Sequence, residues 1–117
     1  MPANNILVGV VGPCGSGKST LVAALQKYGF ACRHIAQEHS YVKDMWKRIT
    51  NPDVLVFLQA SFRVCTKRRQ LDWDESDYDE QQHRLAYALQ YANIVIDTDQ
   101  LSPQDVVQCV LEYLKKI

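Results

Sequence analysis

Gly12-Pro13-Cys14-Gly15-Ser16-Gly17-Lys18-Ser19-Thr20 carries the most specific pattern in the chain. It fits G-x-x-x-x-G-K-[ST], the Walker A spacing, with Gly12, Gly17, Lys18 and Ser19 in the fixed places. Gly12, Gly15 and Gly17 let the backbone turn tightly, so that successive N–H groups face a phosphate chain. Lys18 stands where a helix should begin and reaches the outer phosphates, while Ser19 places a hydroxyl on Mg²⁺. The positive end of that helix adds to the attraction for an anion. All nine residues, Gly12 to Thr20, are therefore the expected phosphate-binding set.

The flanks agree with this reading. Ile6-Leu7-Val8-Gly9-Val10-Val11 predicts a short buried strand running into the loop. Leu21, Leu25 and Tyr28, with Ala23 and Ala24, predict a helix that stops at Gly29. A glycine-rich turn that merely contains Lys-Ser would need neither flank.

With 117 residues the chain has room for one domain and no second independent core. Lys+Arg and Asp+Glu are both 13, so no global field favours nucleic acid or an anionic membrane. No apolar run approaches a membrane span, and the N-terminus lacks the layout of a signal peptide. Cys14, Cys32, Cys65 and Cys109 form no C-x-x-C pair, which with the phosphate loop points to reduced thiols in a cytoplasm. His34, His39 and His83 are not spaced with them as a zinc motif requires, so the only metal expected is the nucleotide's Mg²⁺. Cys14 reads as a spacer in the loop, open to oxidation if accessible.

Beyond Gly29, Phe30 to Ala36 reads as a second strand, placed at an edge because Arg33 and His34 suit no doubly covered strand. Ser40 is a candidate cap for a helix in which Val42, Met45, Trp46 and Ile49 form an apolar stripe, making Trp46 a core residue. Asn51-Pro52-Asp53 ends it, and Val54 to Leu58 is a buried strand. Ser61 caps a helix bearing Arg63, Lys67, Arg68 and Arg69. An acidic stretch from Asp72 to Glu80 leads into a helix from about Asp77 to Tyr91. Asn93 to Asp97 is a fourth strand, and Ser102-Pro103 opens a last helix with Val106, Val110 and Leu114 inward.

Strands alternating with helices predict an α/β domain with a parallel sheet covered on both faces. The order 2-1-3-4 buries the most apolar strands and leaves the second and fourth at the edges. With the loop, the expected fold is the three-layer P-loop NTPase fold with about four strands.

The chain resembles the P-loop kinases of the nucleoside-monophosphate kinase group, and its second half resembles dephospho-CoA kinase. The likeness rests on Gly12–Thr20, on Pro52 to Leu58 followed by Arg68-Arg69, and on Arg84-Leu85 leading to Ala92–Asp97. It implies a lid-like segment at about 63–84, in which Arg68 and Arg69, then Arg84, close on transferring phosphates. It also implies that Thr98 to Leu101 lies against the base. Two features of the family are missing here. Only Gly29 separates the first helix from the second strand, where these kinases insert an acceptor-binding region, and no D-G-x-P-R stretch is present.

Walker A proteins need an acid near Mg²⁺, at the carboxyl end of a strand beside the first. Asp53 is at the wrong end of its strand, and Asp97 is at the right end but on the far edge. Glu38, after the second strand, is the expected metal-shell or base residue, with Ser19 as the direct ligand. His39 and Ser40 are candidates for holding an acceptor. The leading expectation is a Mg²⁺-dependent phosphotransferase using ATP, with no base-reading motif to separate ATP from GTP and an unidentified small-molecule acceptor. The alternative is a nucleotide-binding switch or slow NTPase without an acceptor. Lys67-Arg68-Arg69 alone suggests nucleic acid, against the balanced charge. Whether a homodimer supplies the missing acceptor wall stays open.

Overall fold

The apolar runs form the centre of the molecule. A computed structural model describes residues 6–117. Strand β1 (Leu7–Val11) enters the glycine loop, and α1 (Lys18–Lys27) leaves it. β2 (Ala31–His34), β3 (Val54–Gln59), α2 (Phe62–Arg69), α3 (Glu75–Tyr91), β4 (Ile94–Asp97) and α4 (Pro103–Lys115) follow. The sheet is four-stranded, all parallel, in the order β2-β1-β3-β4. β1 registers Val8 against both Cys32 and Val54, and β3 registers Val56 against Ile94. No helix among the described residues is long and apolar enough to cross a membrane.

Alternation along the strands divides the core in two. Val8, Val10, Val54, Val56, Leu58 and Ile96 pack with Leu21, Leu25, Val106, Val110 and Leu114, so α1 and α4 cover one face. Val11, Leu55 and Phe57 turn the other way, onto Ile35, Trp46, Leu85 and Ala88, so α3 covers the second face. Three layers result. Asp53 sits at the amino end of β3, where its carboxylate accepts from Leu7 N–H at 2.8 Å and its own N–H donates to the Leu7 carbonyl. It is a turn contact at the far end of the sheet from the loop.

The segment from Ser40 to Thr50 departs from the expected amphipathic helix. Residues 41–44 form bends and turns, and only a π-helical turn, Trp46–Thr50, is present. The buried side chain of Gln37 explains the difference. Its amide donates to the Val42 carbonyl at 2.8 Å and accepts from Trp46 N–H at 2.9 Å, spending on a side chain the groups a helix would pair internally. Trp46 is buried as expected, but Val42 and Ile49 are exposed, so the stripe does not exist. Ser40 caps no helix; its hydroxyl accepts from Val42 N–H.

α3 begins at Glu75, two residues before the expected start, because Asp74 and Asp77 form a reciprocal capping box. The segment at 63–84 is packed on the body of the domain through a cluster of Phe62, Trp73 and Tyr78. Trp73 Nε1 donates to Thr66 Oγ1 at 2.6 Å and Tyr78 Oη to the Ala60 carbonyl at 2.7 Å, the latter in surroundings that push its phenol up to about 12 by burial.

Candidate functional site

The carboxyl ends of parallel strands leave a crevice where the chain reverses its path across the sheet, here between β1 and β3. A cavity of about 500 Å³ opens there. The loop from Cys14 to Thr20 lines it, with Glu38 and His39 on one side and Arg68, Arg69 and Thr98 on the other. Leu101, Pro103 and Val106 close its far wall.

The loop is held from three directions. Gly15 adopts φ +86, and a Cβ there would lie 2.7 Å from the Cys65 carbonyl oxygen and 2.9 Å from Cys65 Cα, so α2 touches the loop backbone. From α3, buried Gln81 accepts from Cys14 N–H at 3.0 Å and donates to its sulfur at 3.3 Å. From the end of β4, buried Thr98 donates to the Ser16 carbonyl at 3.3 Å. Gly17 caps α1 in a left-handed conformation without any side-chain cap. The N–H groups of Lys18, Ser19 and Thr20, in the first turn of α1, have no hydrogen-bond partner among the described residues, and all three residues line the cavity. An anion placed there would meet both those donors and the helix dipole.

Lys18 and Glu38 meet beneath the loop. Lys18 Nζ donates to Glu38 Oε2 at 2.7 Å, to the Gly12 carbonyl at 2.7 Å and to the Pro13 carbonyl at 3.1 Å. Both side chains are almost fully buried, at 6% and 3% exposure, so each charge depends on the other. The second carboxylate oxygen, Oε1, is buried with no partner among the described residues. Ser19 is exposed and borders the same cavity as Glu38, so both offer oxygen atoms of the chemical type that Mg²⁺ takes.

The basic residues separate into three roles. Arg68 points inward, donating to Thr98 Oγ1 at 2.9 Å, to the Thr98 carbonyl at 2.6 Å and, more weakly, to the Gly15 carbonyl at 3.4 Å. It ties α2 to β4 across the loop. Arg69 lines the cavity and makes no hydrogen bond or ion pair among the described residues. Arg84 is off the cavity, behind the acid: it donates to the Glu38 carbonyl at 3.3 Å and stacks on Tyr41. Asp97 is exposed and accepts from Asp99 N–H, outside the cavity. His34 is exposed at the cavity wall, where partial desolvation, aided by the Lys18 charge, lowers its imidazole from the ordinary value.

Three positions gain a part that sequence reasoning did not give them. Gln81 clamps Cys14, and no motif marks a helical glutamine 67 residues away for that duty. Thr98 is a strut beneath the loop as well as a wall of the cavity. Cys14 lies beside His39, with Sγ 3.3 Å from Nε2. Comparison with protein-family models and with curated proteins gives no match. The chemistry of the site rests on its geometry.

Proposed function

We propose that this chain is a minimal P-loop protein that binds ATP or GTP with Mg²⁺ and transfers the terminal phosphoryl group, in the manner of the nucleoside-monophosphate kinase group. One observation carries the reading. A buried lysine and a buried carboxylate converge under a glycine loop whose following helix starts on the wall of a cavity.

A triphosphate entering the cavity offers Lys18 a stronger partner than Glu38. Lys18 turns to the phosphates, where its charge opposes the negative charge on the transferring oxygens. Glu38, freed from it, orients the nucleophile or accepts its proton. Ser19 and the Glu38 shell would hold Mg²⁺, which would supply Lewis-acid neutralisation of the phosphate oxygens. Arg68 positions the loop, and Arg69 is the cation available to the outer phosphate. The four free thiols suit a reducing cytoplasm.

A second reading, a switch or slow NTPase without a small-molecule acceptor, is favoured by one observation. Only Tyr28, Gly29 and Phe30 join α1 to β2, so no acceptor-binding region is inserted there. ADP release measured with and without pooled hydroxyl and phosphate acceptors separates the two. The kinase reading expects acceptor-dependent release; acceptor-independent hydrolysis, or binding alone, supports the switch.

A further inference from the structure

The sequence offers no zinc motif, yet folding brings three metal-ligating groups together at the rim of the loop. Cys14 comes from the loop itself, and Glu38 and His39 from the 3₁₀ turn Gln37–His39 after β2. Cys14 Sγ lies 3.3 Å from His39 Nε2 and 3.9 Å from Glu38 Oε2, and the remaining pair, Nε2 to Oε2, is 3.8 Å apart. A tetrahedral ion at the usual ~2.3 Å from sulfur and ~2.0–2.1 Å from nitrogen and oxygen needs ligand atoms roughly 3.3–3.6 Å apart. The triangle is within half an ångström of that on every side, so small side-chain rotations close it.

The three groups are also held in place. Gln81 fixes both the backbone and the sulfur of Cys14. His39 N–H donates to the Ala36 carbonyl at 3.1 Å, and Glu38 is nearly fully buried with Oε1 unpartnered. The imidazole is half exposed and all three residues border the cavity, which gives an ion an entry path and leaves a fourth position open.

We propose that Cys14, Glu38 and His39 form a binding site for a thiophilic divalent cation of the Zn²⁺ class. Thiolate and imidazole select such an ion over Mg²⁺, which prefers oxygen alone. Binding displaces the thiol proton to solvent and leaves a metal–thiolate bond. The site goes beyond the nucleotide reading but shares Glu38 with it. A dication on Oε2 repels Lys18 from its present partner, so the ion and the resting position of Lys18 exclude each other. Occupancy would therefore couple the phosphate loop to the supply of a soft metal.

Cobalt(II) titration of the full chain without nucleotide tests the site, whatever the outcome for ATP. One equivalent should give tetrahedral d–d bands and a single-thiolate charge-transfer band, removed by competing Zn²⁺. Cys14→Ala should abolish the charge-transfer band while circular dichroism shows a folded protein. His39→Ala, at an exposed ring, should weaken binding by on the order of a hundredfold, since losing a ligand outweighs the 10–100-fold of a supporting contact. Cys109→Ala, on an exposed face of α4, should leave binding unchanged. No charge-transfer band in the wild type, a band that survives Cys14→Ala, or binding indifferent to His39→Ala would each overturn the proposal.

Discussion

Glu38→Gln tests whether the carboxylate is the stand-in for a phosphate. In the resting protein it is the only anion within hydrogen-bonding reach of Lys18 Nζ among the described residues, at 2.7 Å. Breaking a buried ion pair by removing one partner costs about 3–5 kcal/mol. Glutamine keeps an acceptor oxygen, and the Gly12 and Pro13 carbonyls remain, so the cost should fall to about 2–3 kcal/mol. For a domain of this size that lowers the melting temperature by roughly 10 °C. ATP without metal should then stabilise the variant more than the wild type, because the triphosphate restores the anion that Lys18 has lost. Thermal melts of both proteins over an ATP series, with and without Mg²⁺, read all three terms. The Mg²⁺-dependent part of the tightening should shrink in the variant. An unchanged melting temperature, or an ATP-induced shift no larger than in the wild type, would refute the exchange of Glu38 for phosphate.

The arginines should part company: Arg68→Ala loosens the loop and lowers stability and nucleotide affinity together, whereas Arg69→Ala stays within about 0.5 kcal/mol in stability and lowers turnover more than binding. Urea melts beside steady-state kinetics check this, and equal effects of the two would remove the distinction. Gly15→Ala should cost roughly 2–4 kcal/mol, adding a left-handed penalty to overpacking against Cys65. Gly17→Ala, where a Cβ meets nothing within 4 Å, should cost only the backbone part, about 1–2 kcal/mol in the same melts.

Much of this was legible in the sequence because it rests on local pattern. The loop spacing, the apolar strands and the edge position of Arg33 and His34 together give the parallel sheet and its order. Glu38 was placed beside the loop from the end of its strand alone. What was illegible depends on side chains meeting across long separations. Gln37 pairs with Val42 and Trp46 and so cancels a helix that periodicity supports. Arg68 looks like a cation free for the phosphates, but Thr98, 30 residues on, takes its donors. The approach of Cys14 to His39 follows from a turn after β2 that no spacing rule encodes.

Calorimetric titration of ATP and Mg²⁺ into the wild type, Glu38→Gln and the double variant Lys18→Ala/Glu38→Gln bears most directly on the phosphate loop. The double variant removes the lysine without stranding a buried carboxylate. The wild type should bind one ATP, and Glu38→Gln should still bind it. The double variant, folded by circular dichroism, should bind roughly 10–100-fold more weakly than Glu38→Gln, the worth of one charge-assisted phosphate contact. ATP affinity equal in the two variants, or no ATP binding by the wild type, would contradict the assignment of Gly12–Thr20 as a nucleotide site.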